Sequence, residues 1–247
     1  MKTTLRHTLQ SLIAPALLCM ALLPLASHAA STKGSGNLAS DNRSLAEFQA
    51  IALKGSMDLV VKQGAQSVQV QADDNLLPLI ETVVETTGQG TTLVVRVKRG
   101  ESLSTRNKLL VTVSVPKLSA VAAEGAGDIR VEAFNAPALK LAISGSGDAR
   151  LQKLTAGELG ISISGSGDVS GDGSAGKIKV SIAGSGDVRL GDLKADDVTV
   201  SIAGSGDAAV HANKSLSVSI AGSGDVSYTG NPSVKSTVAG SGSVTRK

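Results

Sequence analysis

The sequence predicts an all-β protein, a parallel β-solenoid with coils of about 18–20 residues. Three observations predict it. A Gly-Ser-Gly-Asp motif recurs in seven copies through the second half of the chain, five of them exact, the first reading Gly-Ala-Gly-Asp and the last Gly-Ser-Gly-Ser, at intervals of 20, 20, 19, 20, 18 and 18 residues, and a fixed period of that length marks stacked repeats. Within each copy, apolar and polar residues alternate strictly over about a dozen positions, the period of a strand. The 247 residues include only three aromatics, Phe48, Phe134 and Tyr228. The core must therefore be built from Val, Ile, Leu and Ala, which suit thin, layered β structure.

Residues 1–29 have the pattern of an export signal. Lys2 and Arg6 precede an apolar run from Leu9 to Ala26, and Ser27 and Ala29 provide the small residues for cleavage after Ala29. The only cysteine, Cys19, leaves with this segment, so the mature domain is expected to be stabilised by packing and hydrogen bonds without disulfides. Loss of Lys2 and Arg6 lowers the formal charge of +3 to +1. No Lys/Arg cluster larger than Lys98-Arg99 follows, so a nucleic-acid footprint is not supported. No later stretch is long and apolar enough to predict a transmembrane helix in the mature chain.

Residues 30–44 are rich in Ser, Thr, Gly and Asn and read as a flexible lead-in. Residues 45–117 are less regular, with strand-like stretches at 57–62, 67–72, 91–98 and 109–115. Asp73-Asp74-Asn75 is placed to cap one short helical turn, and 100–108 reads as a polar loop. This region fits either less uniform coils of the same solenoid or a β cap on it.

Residues 118–247 are the repeat solenoid. In one copy Leu139, Leu141, Ile143, Gly145, Gly147, Ala149 and Leu151 share a parity and point inward. A strand of that length would span roughly 40 Å if straight. The paired glycines remove side chains where it must bend. The expected corners are Gly145/Gly147, Gly165/Gly167, Gly184/Gly186, Gly204/Gly206 and Gly222/Gly224. Each coil then reads as arm, corner, second arm and return loop. A lone coil would lose more conformational entropy than its few buried aliphatics offset, so neighbouring coils are required.

The opening Leu45-x-x-Phe48, the segment Leu59-Val60-Val61-Lys62-Gln63-Gly64, Val68-x-Val70 and Ala72-Asp73-Asp74-Asn75-Leu76-Leu77, followed by the Gly-Ser-Gly-Asp repeats, resemble the head GIN domain family of auto-transporter adhesins. The resemblance covers about residues 40–247. It implies a secreted β-solenoid of bacterial envelopes with no established activity and no catalytic residues to carry over. Nothing in the sequence resembles an auto-transporter's membrane barrel, so self-translocation is not expected.

The conspicuous chemistry is an outward column of carboxylates, Asp128, Asp148, Asp168, Asp187, Asp207 and Asp225, expected about one strand spacing apart, roughly 5 Å. Such a column either wants cations, with calcium the natural ion for hard oxygen ligands, or serves turn chemistry, each Asp bonding backbone amides at its corner. The 18–20 residue period differs from the nine-residue repeat of calcium-binding β-rolls, and turn chemistry is the favoured expectation. Ser144, Ser146, Ser164, Ser166, Ser185, Ser205 and Ser223 form accompanying hydroxyl columns. Such arrays suit a glycan or another repetitive envelope surface, and they equally provide the polar face that any soluble solenoid needs.

Catalysis finds little support. His211 stands alone at a return segment, with no Ser-His dyad visible by motif. Gly-x-Gly at strand corners is not a nucleotide fingerprint, because no helix follows it. The expectation is a non-catalytic surface-binding or envelope structural module that needs no cofactor. The alternatives are a polysaccharide-active enzyme on the same scaffold, since paired acids suffice for glycoside cleavage, and a self-associating homo-oligomer.

Overall fold

The structure is a computed structural model that describes residues 31–247. The expected export signal at 1–29 lies outside them. The chain runs through β1 (Ser31–Lys33), β2 (Leu38–Arg43), β3 (Ala50–Gly55), β4 (Asp58–Gln63) and β5 (Ser67–Asp73) to a 3-10 turn at Leu77–Leu79. There follow β6 (Ile80–Thr87), β7 (Gly90–Val97), β8 (Ser102–Ser104), β9 (Leu110–Val115), β10 (Ala120–Gly125) and β11 (Ile129–Glu132). The regular coils comprise β12 (Asn135–Gly145), β13 (Ala149–Gly165), β14 (Val169–Gly184), β15 (Val188–Gly204) and β16 (Ala208–Gly222). The last coil is built from β17 (Val226–Gly230), β18 (Ser233–Gly240) and β19 (Val244–Arg246).

From β10 to β19 every pairing within the stack is parallel, and the Gly-Ser-Gly-Asp copies align residue on residue, with Gly145 beside Gly165, Gly184, Gly204 and Gly222. The all-β parallel solenoid read from the sequence is the fold. One detail differs. The return segments are not loops: β13 and β15 each run for 17 residues, through the return bend and into the next arm. Pairing runs up to each bend and resumes beyond it, and the register shifts fall at the bends themselves, between Leu151 and Leu154 in β13 and between Leu190 and Lys194 in β15, where coils of unequal length are reconciled. Ala133 and Lys153 take positive φ (46° and 49°) at these bends, and the Lys153 amide donates to Asp172 Oδ2 at 3.0 Å.

Stacked coils also begin earlier than residue 118. β3 pairs in parallel with β10, and β4 with β11, so residues 50–63 form the first coil. On its other side lie β7, parallel to β3, and β9, parallel to β4. Two antiparallel layers finish that end, β6 on β7 and β5 on β9 with β2 beyond it. The chain thus completes one coil, leaves to build the cap, and returns to stack the next coil on the opposite face of the first. Region 45–117 is therefore part coil and part cap.

Residues 31–43 are not a flexible lead-in. β1 pairs in parallel with β8, inside the segment read as a polar loop, and β2 pairs antiparallel with β5. Polar composition hid both strands, which lie at sheet edges with one face in water. The short helical turn forms, but its N-cap is Leu76 without a side-chain bond. Asp73 is fully buried instead and accepts hydrogen bonds from Thr105 Oγ1 and Asn107 Nδ2, tying the 100–108 segment to the cap.

The core is one continuous aliphatic column. Leu141, Ile143, Ile161, Ile163, Val180, Ile182, Val200, Ile202 and Ile220 are all buried, with Phe48 and Phe134 its only phenylalanines. At the far end, β18 is exposed along its whole length, and Val234 and Val238 are each 40% exposed.

Candidate functional site

The corners decide where every polar column stands. The sequence suggested one shared role for the two glycines of each pair, and the structure separates them. Gly145, Gly165, Gly184, Gly204 and Gly222 each end a strand, half-buried, with φ between +134° and +140°. Gly147, Gly167, Gly186, Gly206 and Gly224 lie in the bend between strands, are buried, and do not take positive φ. The preceding coil is what excludes a side chain from this second set. A Cβ on Gly186 would strike the Gly167 carbonyl, one on Gly206 the Gly186 carbonyl, and one on Gly224 the Gly206 carbonyl. The first glycines meet the same obstacle, Gly145 against the Gly125 carbonyl. Two glycines per corner therefore let successive corners stack at strand spacing, and the aspartate that follows is delivered to the same place in every coil.

The aspartates form a ladder. The amide of Asp148 donates to Asp128 Oδ1 at 3.1 Å, that of Asp168 to Asp148 Oδ1 at 2.9 Å, and that of Asp187 to Asp168 Oδ1 at 2.9 Å. Asp207 and Asp225 continue it at 2.9 and 2.8 Å. At its end both the amide and the hydroxyl of Ser243 donate to Asp225 Oδ1 at 2.8 Å. Running the opposite way, the amide after each aspartate donates to the aspartate carbonyl of the next coil, as from Ile129 to Asp148 at 2.7 Å. Each carboxylate thus bonds an amide of the neighbouring coil, not of its own corner.

The ladder begins one coil earlier than the sequence motif suggested, because the Asp128 amide donates to Asp58 Oδ1 at 3.1 Å. Gly55-Ser56-Met57-Asp58 is a corner of the same kind, with Met57 in place of the second glycine. The signal was present in the matching runs Lys54-Gly55-Ser56-Met57-Asp58-Leu59 and Glu124-Gly125-Ala126-Gly127-Asp128-Ile129. It was masked by the methionine and by the 70 residues that separate the two aspartates.

Neighbouring carboxylates at about 5 Å repel by roughly 3 kcal/mol at an effective dielectric near 20, and by under about 1 kcal/mol in bulk water. The amide bonds and solvent oppose this, and at one place so does a cation. Arg189 donates to Asp168 at 2.9 Å and to Asp187 at 2.8 Å, and the bond it makes to Asp168 raises the Arg189 pKa above its usual value.

Arg189 belongs to a second column, missed in the sequence, that stands two residues beyond each aspartate on the same outward face. Arg130 pairs in register with Arg150, Arg150 with Ser170 and Ser170 with Arg189. The acidic and basic columns line a groove of about 440 Å³ that also takes in Lys108, whose Nζ lies 3.7 Å from Asp58 Oδ2.

The predicted serines divide. Ser146, Ser166, Ser185, Ser205 and Ser223 occupy equivalent corner positions, whereas Ser144 and Ser164 are followed by alanines at 183, 203 and 221. A further hydroxyl column that sequence reasoning passed over is Ser162, Ser181, Ser201 and Ser219 on the first arm. His211 is held by neutral partners, Nδ1 by Thr229 Oγ1 at 2.9 Å and Nε2 by Asn213 Oδ1 at 3.0 Å, away from the aspartate ladder. Among the described residues no three His, Cys, Asp or Glu side chains gather as a metal site, and no helix is long and apolar enough to cross a membrane.

No curated protein matches the sequence. Among solved structures, the chain is similar to a "putative adhesin" from Bacteroides fragilis NCTC 9343, at 25% identity and a TM-score of 0.81, covering 88% of this chain and 100% of that one. A "putative adhesin" from Parabacteroides distasonis ATCC 8503 is 26% identical, with a TM-score of 0.70 and coverage of 88% and 100%. A "putative lipid binding protein" from the same organism, at 24% identity, a TM-score of 0.70 and coverage of 88% and 100%, shares the fold. The family profile described as "Putative auto-transporter adhesin, head GIN domain" matches residues 47–232, and by that match over most of its length the chain belongs to this family.

Proposed function

We propose that the protein is an exported, non-catalytic binding module of the bacterial envelope that holds a repetitive polymer, a surface glycan, along its stacked corners. The observation that carries this reading is the repetition itself. From Asp58 to Asp225 the same acceptor recurs once per coil in bonds of closely similar length. Evenly spaced identical groups suit a ligand that also repeats, and many weak contacts along it sum to useful avidity. An enzyme would instead concentrate a distinct set of groups at one place. Membership of an adhesin-named family points the same way.

The test is retention of the mature chain on bacterial envelopes and on a polysaccharide panel, with and without calcium, with reducing ends assayed in the same tubes. Saturable retention without new ends supports the module. New reducing ends would replace it with a polysaccharide-active enzyme. A second reading, self-association, is favoured by the exposed β18 edge with Val234 and Val238, because an unpaired strand edge is a template for another strand. Concentration-dependent sedimentation, abolished by Val234→Lys, is its signature.

A further inference from the structure

We propose that the groove beside the aspartate ladder is the ligand site, and that it takes an acidic polysaccharide whose carboxylates are held by Arg130 and Arg150. The inference rests on the glycan-binding reading above and gives it a place and a chemistry.

Four cations line the groove, and two of them are already engaged: Arg189 by Asp168 and Asp187, and Lys108 by Asp58. Arg130 and Arg150 are not. Among the described residues neither guanidinium has a carboxylate within 4.0 Å, although each sits two residues beyond an aspartate, as Arg189 does. The two are directly opposite in adjacent strands, about one strand spacing apart, where like charges disfavour each other. Both are exposed. A carboxylate placed between them relieves that repulsion and matches the planar fork of guanidinium with two parallel hydrogen bonds.

The opposite wall selects among anions. Asp128 and Asp148 each commit one oxygen to the ladder, and among the described residues their second oxygens have no partner. Those oxygens can accept bonds only from donors, such as sugar hydroxyls. A sugar acid satisfies both walls at once, its carboxylate toward the arginines and its hydroxyls toward the aspartates. A polyphosphate offers no such donors and meets repulsion from the acidic wall. No aromatic ring lines the groove, so a neutral sugar gains no stacking surface there. Ser170, opposite Arg150, leaves the floor low between Arg150 and Arg189.

The test uses the mature chain against polygalacturonate, alginate and hyaluronate, each paired with its carboxyl-reduced neutral form, and against polyphosphate. Titration is followed for wild type, for Arg130→Gln/Arg150→Gln, and for Lys140→Gln/Lys179→Gln, which removes the same charge from exposed positions on the other arm. At least one acidic glycan is expected to bind about tenfold more tightly than its reduced form. The arginine variant should lose about tenfold and the lysine variant less than twofold, with circular dichroism unchanged in both. Retention of neutral glycans that is indifferent to the arginines would overturn this inference and leave the glycan-binding reading standing. Equal loss in both variants, or equal binding of polyphosphate, would reduce it to nonspecific ion exchange. No retention of any glycan, acidic or neutral, would refute both.

Discussion

Gly167→Ala tests the packing of the corners, because the same substitution at Gly160 gives the opposite sign. A Cβ on Gly167 would lie 3.1 Å from both the Gly147 carbonyl carbon and Ile143 Cγ2, and closer still to the Gly147 oxygen. The oxygen and carbon belong to backbone and cannot swing away. Relief requires the two coils to part by on the order of 1 Å at the corner, since unstrained carbon contacts sit near 3.5–4.0 Å. That displacement stretches the bonds joining the coils there, from Ser166 N–H to Gly145 O at 2.9 Å and from Ala149 N–H to Asp168 O at 2.8 Å. Two weakened hydrogen bonds at about 1 kcal/mol each, with the overpacking of a full core, give a loss of about 2–3 kcal/mol. At Gly160 a Cβ would meet only Lys140 Cγ, at 3.8 Å. Alanine there restricts the unfolded chain and stabilises by about 0.5 kcal/mol. Urea unfolding followed by circular dichroism reads both. With a slope of about 2–3 kcal/mol per molar for a domain of this size, Gly167→Ala should lower the midpoint by about 1 M, and Gly160→Ala should raise it slightly. Equal midpoints for the two variants would refute the stacked-corner reasoning.

The ladder aspartates act through acceptor oxygens rather than charge, so Asp148→Asn should leave thermal stability nearly unchanged, while Asp148→Ala, which strips the acceptor from the Asp168 amide, should cost about 1 kcal/mol by urea unfolding. At Asp73 the carboxylate is buried under Thr105 and Asn107. Asp73→Ala should therefore cost about 3 kcal/mol and raise hydrogen exchange across 100–108 before the coils are affected. For pH, the Ser35 hydroxyl bond holds the Asp74 pKa below the usual aspartate value, and the Lys214 bond does the same for Asp196. A depressed folded pKa contributes stability that is present at neutral pH and lost as pH falls through the folded value. The raised pKa values of Lys214 and Arg189 keep their share through neutral pH and lose it only under strongly alkaline conditions. Melting temperature should accordingly hold from pH 6 to 8 and fall as acidification passes the usual aspartate range, about pH 4, with a smaller fall for Asp196→Asn.

The solenoid was legible because two periods coincide in the same residues. Leu141, Ile143, Gly145 and Gly147 alternate at the strand period, and the whole register returns at Ile161, Ile163, Gly165 and Gly167. What the repeat did not carry was harder to read. The first coil lacks its second glycine at Met57, and the chain departs to build the cap before the next coil. β1, β2 and β8 are polar edge strands whose pairing is set by distant partners, Ser31 beside Ser102 and Leu38 beside Asp73. Local composition contains no record of such pairs. Nor does it distinguish the two glycines of a corner: a stacked carbonyl excludes a Cβ at both Gly184 and Gly186, but only Gly184 takes positive φ. The aspartate column stood out because it recurs at every corner. The arginines did not, because their column reads Arg130, Arg150, Ser170, Arg189 and Ala209 without a regular repeat, and they gain meaning only beside the carboxylates. The carboxylates' partners were likewise hidden, since a turn aspartate usually bonds within its own turn, whereas these reach across coils.

The claim that repetition is the basis of binding is tested most directly by the length dependence of affinity. Oligosaccharides of one acidic polysaccharide, graded from dimer to decamer, would be titrated against the mature chain at constant total sugar. Binding along the stacked corners predicts an association constant that climbs with each added residue until the ligand spans the coils from Asp58 to Asp187, roughly 20 Å at strand spacing, and then levels off. An affinity already complete at the dimer would place recognition in a single local pocket and contradict the account.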